Sequence, residues 1–135
     1  MLSADVVLKP QFYDLDPMNV VWHGNYIRYL EQARCALLEL IGYSYEEMAK
    51  SGFIWPIVDL KIKYVRSMHF GQEVKIRAEL AEYEHRLRIN YLATDGATGQ
   101  ILTRAQTTQV AVDAKTGKLC LDSPPILIDS VRMKL

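Results

Sequence analysis

The sequence is short of several things, and each shortage excludes something. Two cysteines, Cys35 and Cys120, stand among 135 residues, too few for a disulfide framework or a zinc cluster. Neither charge is in excess, since sixteen Lys and Arg face sixteen Asp and Glu. Such a chain lacks the sequence-independent pull on phosphates that general nucleic-acid binding needs. The charges are also evenly spread: seven basic and eight acidic residues lie up to Phe70, nine and eight after it, so there is no charged tail. No stretch approaches the roughly 18 consecutive apolar residues of a membrane span. The opening MLSADVVLKP has no basic region leading into an apolar run, so no signal peptide is expected and a cytoplasmic location is. His23, His69 and His85 are far apart, and no His-x-x-x-His or Cys-x-x-Cys occurs, so no metal site is expected. Without a glycine-rich phosphate loop or a dinucleotide fingerprint, no cofactor is expected either. Repeats, low-complexity segments and linkers are missing, which leaves a single domain over residues 1–135.

What is present is a clear change of period. Val6 to Leu8 open a short strand running toward Phe12. It ends at Tyr13-Asp14-Leu15-Asp16-Pro17, because the residue before proline is pushed out of helical geometry. From Gly24 to Ile41 the period is helical. Tyr26, Leu30, Ala33, Leu37 and Leu40 form a stripe, widened by Tyr29, Ala36, Leu38 and Ile41. A stripe that wide predicts a helix largely enclosed by other structure, with Cys35 as a buried, reduced thiol. Gly42 is placed to end it. Ser44 and Glu47 form a capping-box pattern for a second helix to Lys50.

After Ser51-Gly52 the period becomes two. Val58 to Val65, Val74 to Leu80, Arg86 to Ala93 and Ile101 to Val112 predict half-buried strands. The breaks at Phe70-Gly71, Glu82 to His85, Asp95 to Gly99 and Lys115 to Lys118 predict turns. A short final strand is expected near Ile126 to Ile128. The order β, α, then at least four antiparallel strands predicts an α+β arrangement, with an antiparallel β-sheet wrapped around a central α-helix.

The segment Asp14 to Tyr26, which joins the first strand to this helix, concentrates two carboxylates, a histidine, two aromatics and asparagines. A helix start presents unpaired N–H groups and partial positive charge, which can polarise a carbonyl or hold an oxyanion. A carboxylate beside it can act as a nucleophile or as a general base. The same residues also suit plain structural duty, with Asp14 and Asp16 as turn formers and Asn25 as a cap.

Tyr13-Asp14-Leu15-Asp16-Pro17-Met18-Asn19-Val20-Val21-Trp22-His23-Gly24-Asn25-Tyr26, followed by Tyr29-Leu30-Glu31-Gln32-Ala33-Arg34, resembles the signature of hotdog-fold acyl-CoA thioesterases. It is similar to that of the 4-hydroxybenzoyl-CoA thioesterase family, including its Tol–Pal-associated members. The resemblance covers nearly the whole chain and implies the hotdog fold. It implies that Asp16 is the catalytic carboxylate and that His23 holds the position whose N–H binds the thioester carbonyl. Trp22, Asn25 and Tyr26 match substrate-binding positions. An edge-to-edge homodimer, or a homotetramer, is implied, with the site between subunits. The acyl group is expected against Trp22, Tyr26, Trp55, Ile57 and Val58. Lys61, Lys63, Arg66, Arg86 and Arg88 are candidates to hold a phosphate-bearing carrier, either CoA or the phosphopantetheine arm of an acyl carrier protein.

Three departures qualify the match. Asn19 stands where relatives often have glycine, though asparagine tolerates left-handed backbone. Phe12 replaces a tyrosine found in some relatives. Glu82 and Glu84 dilute the basic hairpin of Arg86 and Arg88, which keeps an acyl-carrier-protein substrate open. A hotdog dehydratase fits less well, because Trp22-His23-Gly24-Asn25 has no Phe-Pro pair. A non-catalytic acyl-thioester-binding protein is the remaining alternative.

Overall fold

The computed structural model describes residues 1–135. The helical stripe forms α1, Asn25–Ile41, and Gly42 ends it at φ 87°, a left-handed conformation that costs glycine little. Helix α2, Tyr45–Lys50, follows, and the Ser44 hydroxyl accepts the Glu47 N–H at its start. Strands are β1 (Ser3–Leu8), β2 (Phe53–Ile54), β3 (Ile57–Tyr64), β4 (Val74–Glu82), β5 (Leu87–Asp95), β6 (Ile101–Gln109) and β7 (Val112–Asp113). Five of them form one antiparallel sheet in the order β1-β4-β5-β6-β3, while β2 and β7 pair separately.

One face of the sheet carries the core. Ile76 lies opposite Val6 and Ala93, Ala78 opposite Tyr91, and Leu80 opposite Ile89. These residues meet Tyr29, Ala33, Leu37 and Leu38 of α1 in one buried cluster. Leu37 is fully buried, so its truncation to alanine is expected to cost about 2–5 kcal/mol.

Helix α1 lies over β1 and β4 and leaves β3 at the far edge uncovered. Here the structure departs from expectation. Leu60, Ile62 and Tyr64 do share the helix-side face, yet Ile57, Val58, Leu60 and Tyr64 are all exposed. Alternation tells which face a side chain takes, not whether anything covers that face. The helix is correspondingly less enclosed than its stripe predicts. Ile27 and Leu40 are exposed, and Cys35 is a free thiol only partly buried, against the expectation of full burial.

Three boundaries also differ. Strand β1 stops at Leu8, and Phe12–Asp14 form a turn of 3-10 helix. The stretch read as one strand to Val112 breaks after Gln109 into β6 and β7. The expected final strand at Ile126–Ile128 is instead part of α3, Pro125–Arg132. Pro125 suits a first helical turn, where its missing N–H costs nothing, and Leu127 and Val131 bury one face at i, i+4 spacing.

Candidate functional site

The loop from Leu15 to Val21 closes on itself. Leu15 and Val21 form an isolated antiparallel bridge, and the Asp16 N–H donates to the Val20 carbonyl at 2.9 Å. The Asp16 Oδ1 accepts the Met18 N–H at 2.8 Å, and its carbonyl accepts the Asn19 N–H at 2.9 Å. Asn19 takes φ 64°, the left-handed conformation that its replacement of glycine requires. Asp16 is therefore a turn former, as its residue type suggests, but only one of its oxygens is engaged in the turn. The other meets no protein donor.

Asp14 is the structural carboxylate of the pair. It is buried, and its Oδ2 accepts the Tyr29 hydroxyl at 2.7 Å and the Gln11 N–H at 2.9 Å. Burial and this carboxylate push the Tyr29 hydroxyl far above its ordinary pKa. The Asp14 carbonyl accepts the Trp22 N–H and the Asn25 side-chain N–H, each at 2.9 Å. Asn25 is thus not a cap. It is the first residue of α1, and Gly24 holds the cap position without a side-chain bond.

The start of α1 is built from four elements of the sequence. Trp22 and His23 precede it, with their rings 5.3 Å apart. The Val21 N–H donates to Met68, and the Tyr26 hydroxyl accepts the Met68 N–H at 2.9 Å. Tyr64, at the end of β3, donates its hydroxyl to the His23 carbonyl at 3.0 Å and packs edge-on to Tyr26 at 4.7 Å. Burial raises the Tyr26 pKa; the Met68 N–H opposes this, and the nearby Tyr64 and Asp16 add to it. The N–H groups of His23 and Gly24 donate to no protein acceptor. They stand at the positive end of a 17-residue helix. The Trp22 ring lies across Gly24 so closely that a Cβ there would fall 2.4–2.8 Å from it. Glycine is what lets the indole cover the helix start.

Farther along α1, Ile27, Leu30, Glu31 and Arg34 line a narrow slit against Ile57, Leu60, Tyr91 and Thr107. The buried Arg34 pairs with Glu31 and donates to Tyr45 at 2.7 Å, and Tyr45 donates to Glu31 at 2.5 Å. Arg34 is therefore buried with its counter-charge, Glu31, at the edge of the core.

A family model described as the thioesterase-like superfamily matches residues 10–129. The chain belongs to that superfamily. This membership points to thioester hydrolysis, and the sheet wrapped on one helix is the hotdog fold of such thioesterases. A provisionally named esterase of Synechocystis is 31% identical over 91% of this chain and 75% of its own. An acyl-acyl carrier protein thioesterase of Arabidopsis thaliana is 31% identical over 57% of this chain and 40% of its own. The solved DHNA-CoA thioesterase of Staphylococcus aureus superposes with a TM-score of 0.81 at 27% identity, covering 90% of this chain and 81% of that one.

Within this thioesterase-like chain, Asp16, Trp22, His23, Asn25 and Tyr26 come together at one end of α1. Arg86 and Arg88 do not join them. Arg88 lies opposite Thr108, whereas Tyr64 lies opposite Thr103. At strand spacing, those positions along β6 are about 17 Å apart. Both arginines also face Glu82, at 3.5 and 3.6 Å. Trp55 does not join them either: it is buried beyond the other end of α1 with its N–H on the Tyr43 hydroxyl. Tyr64 and Met68 were not singled out as site residues by sequence reasoning. Their contacts span 41 and 42 residues, and no local spacing signals them.

Proposed function

We propose that this chain is a cytoplasmic thioester hydrolase of the 4-hydroxybenzoyl-CoA thioesterase type that cleaves acyl-CoA to free acid and CoA. The observation that carries this reading is one carboxylate oxygen of Asp16 left free beside a helix start with two unpartnered N–H groups. The thioester carbonyl sits against those N–H groups, which stabilise the negative charge that develops on its oxygen. In one route an Asp16 oxygen bonds to the carbonyl carbon, the carbon–sulfur bond breaks, and the thiolate leaves. Water then cleaves the mixed anhydride and restores the carboxylate. In the other, Asp16 takes a proton from water as the water oxygen bonds to the carbonyl carbon. Collapse expels the thiolate, which takes up the proton.

The uncovered β3 edge supports a homodimer. It presents unpaired backbone groups beside exposed Ile57, Val58 and Leu60. Antiparallel pairing of β3 with its copy sets Ile57 of one chain near Tyr64 of the other. This closes the slit along α1 and puts the site between subunits. Arg86 and Arg88 then reach a thioester only from the partner subunit.

The test is thiol release from a panel of acyl-CoAs and acyl carrier proteins, with wild type and Asp16→Asn. Hydrolysis by wild type that is lost in a folded Asp16→Asn supports the reading. Equal rates would make Asp16 only a turn residue. Binding without turnover would favour the non-catalytic alternative. The match to an acyl-carrier-protein thioesterase keeps that substrate as the second reading, decided by the same panel.

A further inference from the structure

The outer face of the sheet leaves its cations least compensated in one place. On the β1–β4 side, Asp5 holds Arg77 at 2.9 Å and Lys75 at 3.4 Å, and Glu82 faces Arg86 and Arg88. On the β6–β3 side, Arg104 stands directly opposite Lys63, both exposed, with no carboxylate within 4.0 Å of either. Like charges directly across a ladder are destabilising. Lys61, next on that face, reaches only Asp59, at 3.8 Å with both side chains largely in solvent. Asn90 and Gln106 complete a shallow groove of about 340 Å³ with these three cations. In a chain of zero formal net charge, this is a localised positive excess whose one carboxylate contact is Asp59 on Lys61.

The groove is also well placed. Lys63 precedes Tyr64, whose hydroxyl holds the His23 carbonyl on the helix side of the same strand end. Arg66, two residues further on, donates to the Ile101 carbonyl and pairs with no carboxylate. A cationic track thus leads from the end of β3, where the thioester carbonyl is proposed to sit, onto the outer face. Pairing of β3 with its copy would set Lys61 and Lys63 beside their equivalents and double the patch.

We propose that the groove of Lys61, Lys63 and Arg104 binds the phosphate groups of a CoA thioester, with the pantetheine arm rounding the end of β3. This rests on the thioesterase reading and names which of the chain's cations serve the carrier. Arg86 and Arg88, which share Glu82, are not among them.

The test compares one acyl group on CoA and on N-acetylcysteamine, which has the thioester but no phosphate. In Lys63→Gln/Arg104→Gln, the preference for CoA, taken as a ratio of kcat/KM values, is expected to fall about tenfold. Adenosine 3′,5′-bisphosphate should inhibit wild type competitively, less so at high salt and less in the double variant. An unchanged preference, or a loss confined to an acyl-carrier-protein substrate, overturns the proposal. If neither thioester is hydrolysed, the enzyme reading fails by itself. Calorimetry with adenosine 3′,5′-bisphosphate then decides the groove, where equal binding by wild type and double variant overturns it and binding lost in the variant supports it.

Discussion

Replacing Tyr64 with phenylalanine removes one oxygen atom and isolates one contact. The Tyr64 hydroxyl donates to the His23 carbonyl at 3.0 Å. That carbonyl shares a planar trans peptide with the Gly24 N–H, so the two groups point in opposite directions. Holding the carbonyl therefore aims the N–H. A neutral hydrogen bond contributes about 0.5–1.5 kcal/mol net. Tyr64 is 45% exposed, so water can replace the hydroxyl, and the loss in global stability should stay at or below about 1 kcal/mol. The effect on turnover is larger in kind, because a mis-aimed N–H matters most when charge develops on the carbonyl oxygen. A lost stabilisation near 1 kcal/mol corresponds to a roughly fivefold lower kcat, with KM little changed. The ring of phenylalanine keeps the edge contact with Tyr26, found at 4.7 Å. The assay is thiol release across a substrate range, paired with thermal denaturation. A kcat equal to wild type in a folded Tyr64→Phe would refute the positioning role, as would a change in KM alone.

Four further outcomes are expected. Asp16→Asn should lower kcat by about two orders of magnitude or more, as loss of an acid–base or nucleophilic group does, with circular dichroism unchanged. Leu60→Asp puts a charge on the uncovered β3 face and should convert a two-chain mass to a one-chain mass in light scattering; an unchanged mass argues against the β3 pairing. Tyr29→Phe strips a buried carboxylate of a donor and should cost about 1.5–3 kcal/mol in urea unfolding, while Tyr13→Phe, at an exposed tyrosine whose hydroxyl makes no protein hydrogen bond, serves as the neutral control. His85 pairs with Asp122 at 2.7 Å, which raises its pKa above the ordinary 6.5. A raised folded pKa means that the pair's contribution is complete below 6.5 and is lost as pH rises through the raised value. NMR titration should show this shift in wild type and a smaller one in Asp122→Asn, where Glu82 and Glu84 remain.

Much of this architecture was readable from residue order. Helix α1 lies within a residue of its predicted span, because both the stripe and the terminal Gly42 are local signals. The β4–β5 turn fell at the break in alternation after Glu82, and the β5–β6 turn at the Asp-Gly and Thr-Gly steps of Asp95 to Gly99. Asn19 takes the left-handed conformation that its stand-in for the relatives' glycine allows. Misreadings arose where local pattern is silent about surroundings. Three apolar residues at Ile126–Ile128 suit a strand or a helix equally, and Pro125 settled it. Leu60 and Tyr64 alternate like any half-buried strand, though the chain covers them only in part. In the candidate site, Asp16 and His23 stand together because they share one short segment with the helix start. Tyr64 and Met68 were not, because their roles exist only after β3 and its following loop fold back on α1.

The slit between α1 and β3 has a thermodynamic consequence. Its walls are Ile27 and Leu30 on one side and Ile57 and Leu60 on the other, and its third side is open in a single chain. A ligand enclosed there by a second copy binds the pair more tightly than the lone chain. By linkage, it must tighten the pair by the same factor. Ligand affinity measured at low protein concentration would then report assembly as much as recognition.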